Sequence, residues 1–304
     1  MDVTLHLGAH RTASTSFQRY AAAHSKPLAA QRIAVWGPKR TRTGLLHNVV
    51  SRDARPRDRG RVRLACAAEA ASATRTLVIS DENMIGTPRA NLRACALYPA
   101  AGLRLARLGE ALGPVRRVVI AIRAQDRYWT SLAAYLVDRG APAPDTVALA
   151  AMAAARRTWR EVVTEAAMAL PETEIVVIPF ERFADRPDAT LAALTGWSAP
   201  PRAAAGEFWV NRSPDMAALE DALEALGVAP QLRRSRAGRW EPLPGDMAAR
   251  LREAYADDLY WLRAGADGLA RYVEDPDPVI AAQTAPVGHR RGQDDEQRRL
   301  EGAG

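Results

Sequence analysis

Short apolar runs alternate along the chain with longer stretches whose apolar positions recur every three or four residues. The runs predict β-strands at 3–7, 33–36, 76–80, 115–122 and 174–178, and the stretches predict helices, notably at 14–23, 126–139 and 146–169. Two strand cores, VVIAI and IVVI, are apolar at every position, the pattern of strands covered on both faces. Strand and helix in alternation predict an α/β fold, a three-layer sandwich with a central parallel sheet. Beyond residue 200 the pattern turns helical. Ser213 and Pro214 ahead of DMAALEDALEAL, with Gly227 behind it, predict a capped helix, and a second is predicted after Pro244 from Met247, Leu251, Ala254, Tyr255, Leu259 and Leu262. These C-terminal helices are expected to pack around the sheet in one domain spanning 1–275.

Two segments break the alternation. From 276 to 304, Pro, Gly, Gln and charge leave almost no large apolar side chains, so a disordered tail is expected. Residues 39–63 hold nine basic and two acidic residues, interrupted by Pro56 and Gly60, and are expected to form a loop or mobile flap. That window carries +7, equal to the net charge of the whole 304-residue chain (42 basic less 35 acidic). All basic residues except Lys26 and Lys39 are arginine, a habit of the entire chain, so the surplus alone argues little for an anionic partner. No Phe, Trp or Tyr falls in 39–63, which speaks against nucleic acid held there by base stacking. Cys66 and Cys95 lie far apart without a Cys-x-x-Cys, so neither a disulfide framework nor a structural metal is expected. MDVTLHLG lacks the charged start and apolar stretch of a signal peptide, and no run approaches the roughly 18 to 20 apolar residues of a membrane span. A cytoplasmic protein with no membrane partner is expected.

The chemistry concentrates in LHLGAHRTASTSFQRY, residues 5–20. A strand that passes through a small, hydroxyl-rich turn into a helix N-terminus aims several backbone N–H groups at one point and forms an anion site. On the Walker A template, Gly8 and Thr15 fit, but Ala13 replaces the second glycine and Ser14 the lysine. The cation is Arg11, inside the turn, and no clear acid for magnesium follows a strand, so an ATPase or kinase is disfavoured. Gly8-Ala9-His10-Arg11-Thr12-Ala13-Ser14-Thr15-Ser16-Phe17-Gln18 resembles the 5′-phosphosulfate loop of the sulfotransferase family, with Arg11 for its lysine and Ala13-Ser14 for its glycine-threonine. Ala13 suits the turn only where φ is negative. A second match follows the 115–122 strand, with Arg123 at its end and Ser131 eight residues on. In that family an Arg and a Ser so separated bind the 3′-phosphate of 3′-phosphoadenosine 5′-phosphosulfate (PAPS), the sulfuryl donor. TWRE at 158–161, EIVVIPFERF and WVNRS at 209–213 extend the likeness loosely over residues 3 to about 265, and Arg236-Ala237-Gly238 is a weak third match.

The resemblance implies a P-loop NTPase-like fold and transfer of a sulfuryl group from PAPS to a hydroxyl, on a carbohydrate or small metabolite, with no metal. Gly8, His10, Arg11, Thr12, Ala13, Ser14, Thr15, Ser16, Arg123 and Ser131 would hold the donor, with Arg11 meeting charge on the leaving group. The family's general base is a His or Glu near a neighbouring strand end. Glu82, in VISDENMIG after the 76–80 strand, is the first candidate and His47, in the basic window, the second. His10, inside the loop, more plausibly shapes it. Two other readings stand beside this one: a nucleotide-dependent kinase with a degenerate P-loop, and a non-catalytic polyanion-binding protein using 39–63.

Overall fold

The computed structural model describes residues 1–51, 55–210, 213–233, 235, 236 and 238–277. Its centre is a six-stranded, all-parallel sheet built from β1 (Asp2–Gly8), β2 (Ile33–Trp36), β3 (Thr76–Ser80), β4 (Arg117–Ile122), β5 (Glu174–Pro179) and β8 (Arg271–Tyr272), in the order β2-β3-β1-β4-β5-β8. A two-residue hairpin, β6 (Ser235–Arg236) with β7 (Arg239–Trp240), stands apart from it. Among the described residues fourteen α-helices accompany these strands.

Alternate residues of the apolar strands feed two separate cores. Leu77, Ile79, Val118, Ile120, Ile122, Ile175 and Val177 point to one face, where Tyr98, Leu105, Leu108, Tyr128 and Trp159 cover them. Val78, Val119, Ala121, Val176 and Ile178 point to the other, under Phe17, Tyr20, Leu191 and Leu194. Each strand thus buries both faces, which is why the runs carry no polar alternation. Helix Ser14–Ala23 and helix Pro187–Thr195 form one outer layer, while helices Ala101–Leu112, Gln125–Val137 and Trp159–Ala169 form the other.

The stretch expected to be one long helix at 146–169 is two helices, Thr146–Ala154 and Trp159–Ala169. Thr158 Oγ1 accepts from Arg160 N, and Glu161 Oε2 accepts from Thr158 N at 2.5 Å. This reciprocal cap starts a new helix, and the T-x-x-E spacing is its signature. The C-terminal helices are present at Met216–Ala225 and Gly245–Arg263, but the first is capped by Asp215, whose Oδ1 accepts from Ala218 N at 2.8 Å, and not by Ser213.

The basic window is not a loop. Its described part forms helix Pro38–Arg40, a π-turn over Thr41–Leu45, helix His47–Val50 and the sixteen-residue helix Pro56–Ala71. Pro56 sits in the first turn, where its missing N–H costs nothing, and Leu46, Val49, Val50 and Val62 reach the core. Much of the charge is spent inside the molecule: Arg40 pairs with Glu69 and stacks on Trp36, Arg59 pairs with Glu110, and Arg61 pairs with Asp58. Residues 52–54 lie outside the described residues, as does the expected tail from 278 onward.

Candidate functional site

The chain leaves β1 toward β2 on one side of the sheet and leaves β4 toward β5 on the other, so the strand order switches direction between β1 and β4. Open parallel sheets bind ligands at the carboxyl ends of strands flanking such a switch. A cavity of about 980 Å³ lies there, lined by His10, Arg11, Ala13, Ser14, Thr15 and Glu82 on the β1 side and by Arg123, Phe180, Glu181, Trp209, Ser213 and Arg239 beyond.

The turn between β1 and helix Ser14–Ala23 is held in three left-handed residues, Gly8 (φ 70°), Arg11 (φ 64°) and Ala13 (φ 64°). Gly8 is required twice over, because a Cβ there would stand 2.7 Å from Ser14 Oγ and 3.0 Å from Glu82 Cβ. Ala13 takes the conformation that its replacement of a glycine was expected to exclude, and an L-residue pays for this backbone with roughly 1–2 kcal/mol. Ala13→Gly should therefore stabilise the fold by about 1 kcal/mol, raising the melting temperature by about 2–4 °C in differential scanning calorimetry. An unchanged or lower melting temperature would show that the loop carries no such strain. Thr12 Oγ1 and Ser14 Oγ both donate to Ala9 O, at 2.7 and 3.3 Å, so these hydroxyls shape the turn. Thr15 faces the cavity from the first helical turn, and Ser16 Oγ accepts from Val210 N at 3.3 Å.

Arg11, Arg123 and Ser131, separated by up to 120 positions, come together. Arg11 Nε donates to Ser131 Oγ at 3.0 Å and its Nη2 to Ser213 Oγ at 3.4 Å, with the two serine hydroxyls 2.7 Å apart. Arg123 Nη1 donates to Arg11 O at 2.7 Å, its guanidinium lies 4.3 Å over the Phe180 ring, and its Nε is buried without a partner among the described residues. Trp159 Nε1 donates to Arg123 O at 2.7 Å and fixes the strand end. Burial, resisted by Glu181 and reinforced by Arg11, Arg239 and Arg127, pulls Arg123 down to about 10, so it stays charged at neutral pH. Burial also lowers Arg11. Arg11, Arg123 and Arg239 form no ion pair among the described residues. The lining carboxylates are already engaged: Glu181 by Ala124 N and Tyr255 Oη, Asp215 by Ala218 N, and Glu82 by Arg42. The lining thus holds three arginines and three carboxylates, with the arginines in no direct ion pair among the described residues.

His10 is buried, with Nε2 against Asn83 Oδ1 at 2.9 Å and both Nδ1 and the backbone N against Tyr98 Oη at 2.8 and 2.7 Å. Burial lowers its pKa, so it is neutral. Since the Asn83 oxygen only accepts, Nε2 carries the proton and Nδ1 accepts from the tyrosine hydroxyl. His10 thus ties the loop to the turn that bears Glu82. Glu82 opens the 3₁₀ turn Glu82–Met84, with Oε1 2.9 Å from Arg42 Nη2 and Oε2 3.5 Å from Gln18 Nε2. His47 is exposed on helix His47–Val50 and does not line the cavity. Gly8, Thr12, Ser16 and Ser131 support the cavity from behind, as none of them lines it. Of the Arg236-Ala237-Gly238 match, only Gly238 is described through to its contacts with the cavity; Ala237 and the Arg236 side chain lie outside the description.

Several residues of the site carried no signal by spacing. Arg42 lies in a window expected to be a loop, Tyr98 in a turn without a pattern, Tyr135 within a helical stretch, and Arg239 reaches the cavity through a hairpin too short to show periodicity. Among the described residues no group of three or more His, Cys, Asp or Glu is placed to hold a metal, and no helix is long and apolar enough to cross a membrane. Comparison of the chain with family models, with curated proteins and with solved structures yields no match.

Proposed function

We propose that the chain is a sulfotransferase that moves a sulfuryl group from PAPS to a hydroxyl acceptor, on a P-loop NTPase-like fold. The observation that carries this reading is the meeting of Arg11, Arg123 and Ser131 beside the β1 turn, at a cavity whose lining arginines Arg11 and Arg123 form no ion pair among the described residues. The order β2-β3-β1-β4-β5, with an anion-binding turn after the central β1, supports the fold assignment. The donor fits the residues present: it carries two separated anionic groups, and the cavity offers the helix N-terminus at Ser14 and Thr15 for one and Arg123, Arg11 and the Ser213 hydroxyl for the other, with Ser131 behind them against Arg11. Bound there, PAPS would supply the sulfuryl group together with a phosphate leaving group.

The protein's part is positional and electrostatic. Arg11 and Arg123, both partly buried, would balance charge on a leaving phosphate oxygen. Glu82 lines the cavity, with Oε1 held by Arg42 and Oε2 3.5 Å from Gln18 Nε2, and would take the hydroxyl proton. Neutral His10 holds the loop and contributes no charge. Melting the protein with 3′-phosphoadenosine 5′-phosphate, ADP, and ATP with magnesium tests the reading. The largest stabilisation should come from the 3′-phosphorylated nucleotide, without magnesium. Greater stabilisation by magnesium ATP would sink it in favour of the kinase.

A further inference from the structure

We propose that Arg42 is a positioning residue that sets the carboxylate of Glu82 against the cavity wall, an inference that rests on the reading of Glu82 as the proton acceptor. Arg42 stands on the π-turn Thr41–Leu45, where the backbone leaves helical geometry at Thr43 and at Gly44 (φ 93°). This kink interrupts the helical stretch, and Arg42, just ahead of it, reaches Asp81 beyond the end of β3.

The contacts run in one direction. Asp81 is buried, accepts from Thr41 Oγ1 at 2.5 Å, and receives Arg42 through Nε at 3.1 and 3.3 Å and Nη2 at 2.7 Å. The guanidinium is thereby fixed on a buried anion, and its Nη2 also donates to Glu82 Oε1 at 2.9 Å. Gly8, which has no Cβ, lets the β1 turn approach the Glu82 Cβ. Glu82, which lines the cavity, thus has the loop at its Cβ and one oxygen held by the arginine. Arg42 does not line the cavity, so it acts through Glu82. A lysine could reach Asp81 but, as a point charge, could not keep the planar two-carboxylate grip.

Crystal structures of the full chain and of Arg42→Gln and Arg42→Lys read the proposal directly. In both variants the Glu82 carboxylate should leave its place while the backbone of 81–84 stays; Arg42→Lys retains a cation for Asp81 should the glutamine variant fail to fold. A Glu82 side chain that holds its position without Arg42 overturns the proposal, whatever becomes of the sulfotransferase reading. Kinetics with PAPS and 2-naphthol as probe acceptor give the second reading. Both Arg42 variants should lower kcat about tenfold or more with KM for the donor within about twofold. On a Glu82→Gln background, Arg42→Gln should have no further effect; a further full loss there also overturns the proposal. If the unaltered protein neither binds 3′-phosphoadenosine 5′-phosphate nor consumes PAPS, the functional reading fails and the crystal structures alone decide the role of Arg42.

Discussion

Arg123→Ala should weaken binding of 3′-phosphoadenosine 5′-phosphate by about 100-fold or more while leaving the melting temperature of the free protein nearly unchanged. The two halves of this expectation have separate causes. In the folded protein Arg123 is an uneasy residue: its Nε is buried without a partner among the described residues, and burial lowers its pKa, with Glu181 opposing the shift and Arg11, Arg239 and Arg127 adding to it. Its links to the protein are one bond to Arg11 O and the Phe180 ring, so removing it relieves about as much as it loses. An anion changes the balance, because hydrogen bonds to a charged group are worth about 1.5–3 kcal/mol each. Two such bonds lost correspond to about two to four orders of magnitude in affinity. Isothermal titration and calorimetric melting measure the two halves. A strongly destabilised variant with intact affinity would make Arg123 a structural residue.

Asp258→Ala should have the opposite profile, a loss of stability of about 3 kcal/mol or more in urea unfolding, since each buried donor left without its acceptor costs about 1–3 kcal/mol. Asp258 lies on helix Gly245–Arg263 and accepts from Thr158 Oγ1 at 2.5 Å, Trp159 N at 3.0 Å, Arg160 N at 3.1 Å and Gln125 Nε2 at 3.1 Å. It is a second cap on helix Trp159–Ala169, delivered from the far end of the chain. Alanine would strand three donors, Thr158 Oγ1, Trp159 N and Gln125 Nε2, while Arg160 N keeps Thr158 Oγ1. Through Trp159, whose ring donates to Arg123 O, the loss should also loosen the end of β4. A change below about 1 kcal/mol would show that solvent reaches these donors.

The strands were legible because a strand buried on both faces needs an unbroken apolar run, and few other elements produce one. The predicted 33–36 and 76–80 match the observed bounds of β2 and β3, and helix Ser14–Ala23 matches as well. What could not be read depended on contacts distant in sequence. The window 39–63 looked like a loop because its helices bury only a few side chains and rest on pairs with Glu69, Asp81 and Glu110, whose positions no local pattern reveals. β8 is two residues long and exists because β5 offers an open edge at Val176 and Val177. The Thr158 cap was readable in principle, but the alanine run around it suggested one continuous helix. Within the site, loop residues followed from local chemistry, whereas Arg42 and Arg239 entered through tertiary structure. The left-handed backbone at Ala13 is a place where residue preference was overruled by the surrounding turn.

The position of β8 also bears on how the protein is made. Its residues Arg271 and Tyr272 close the outer side of β5, yet the ribosome adds them more than ninety positions after Pro179. While the intervening chain is being synthesised, β5 presents unpaired backbone groups, and open strand edges are templates for pairing with other chains. Asp258 is likewise absent until late, so the end of β4 waits for the same segment. The nascent protein is therefore most exposed to misassembly over this interval, and the segment from 258 to 272 completes both the edge of the sheet and the support beneath Arg123.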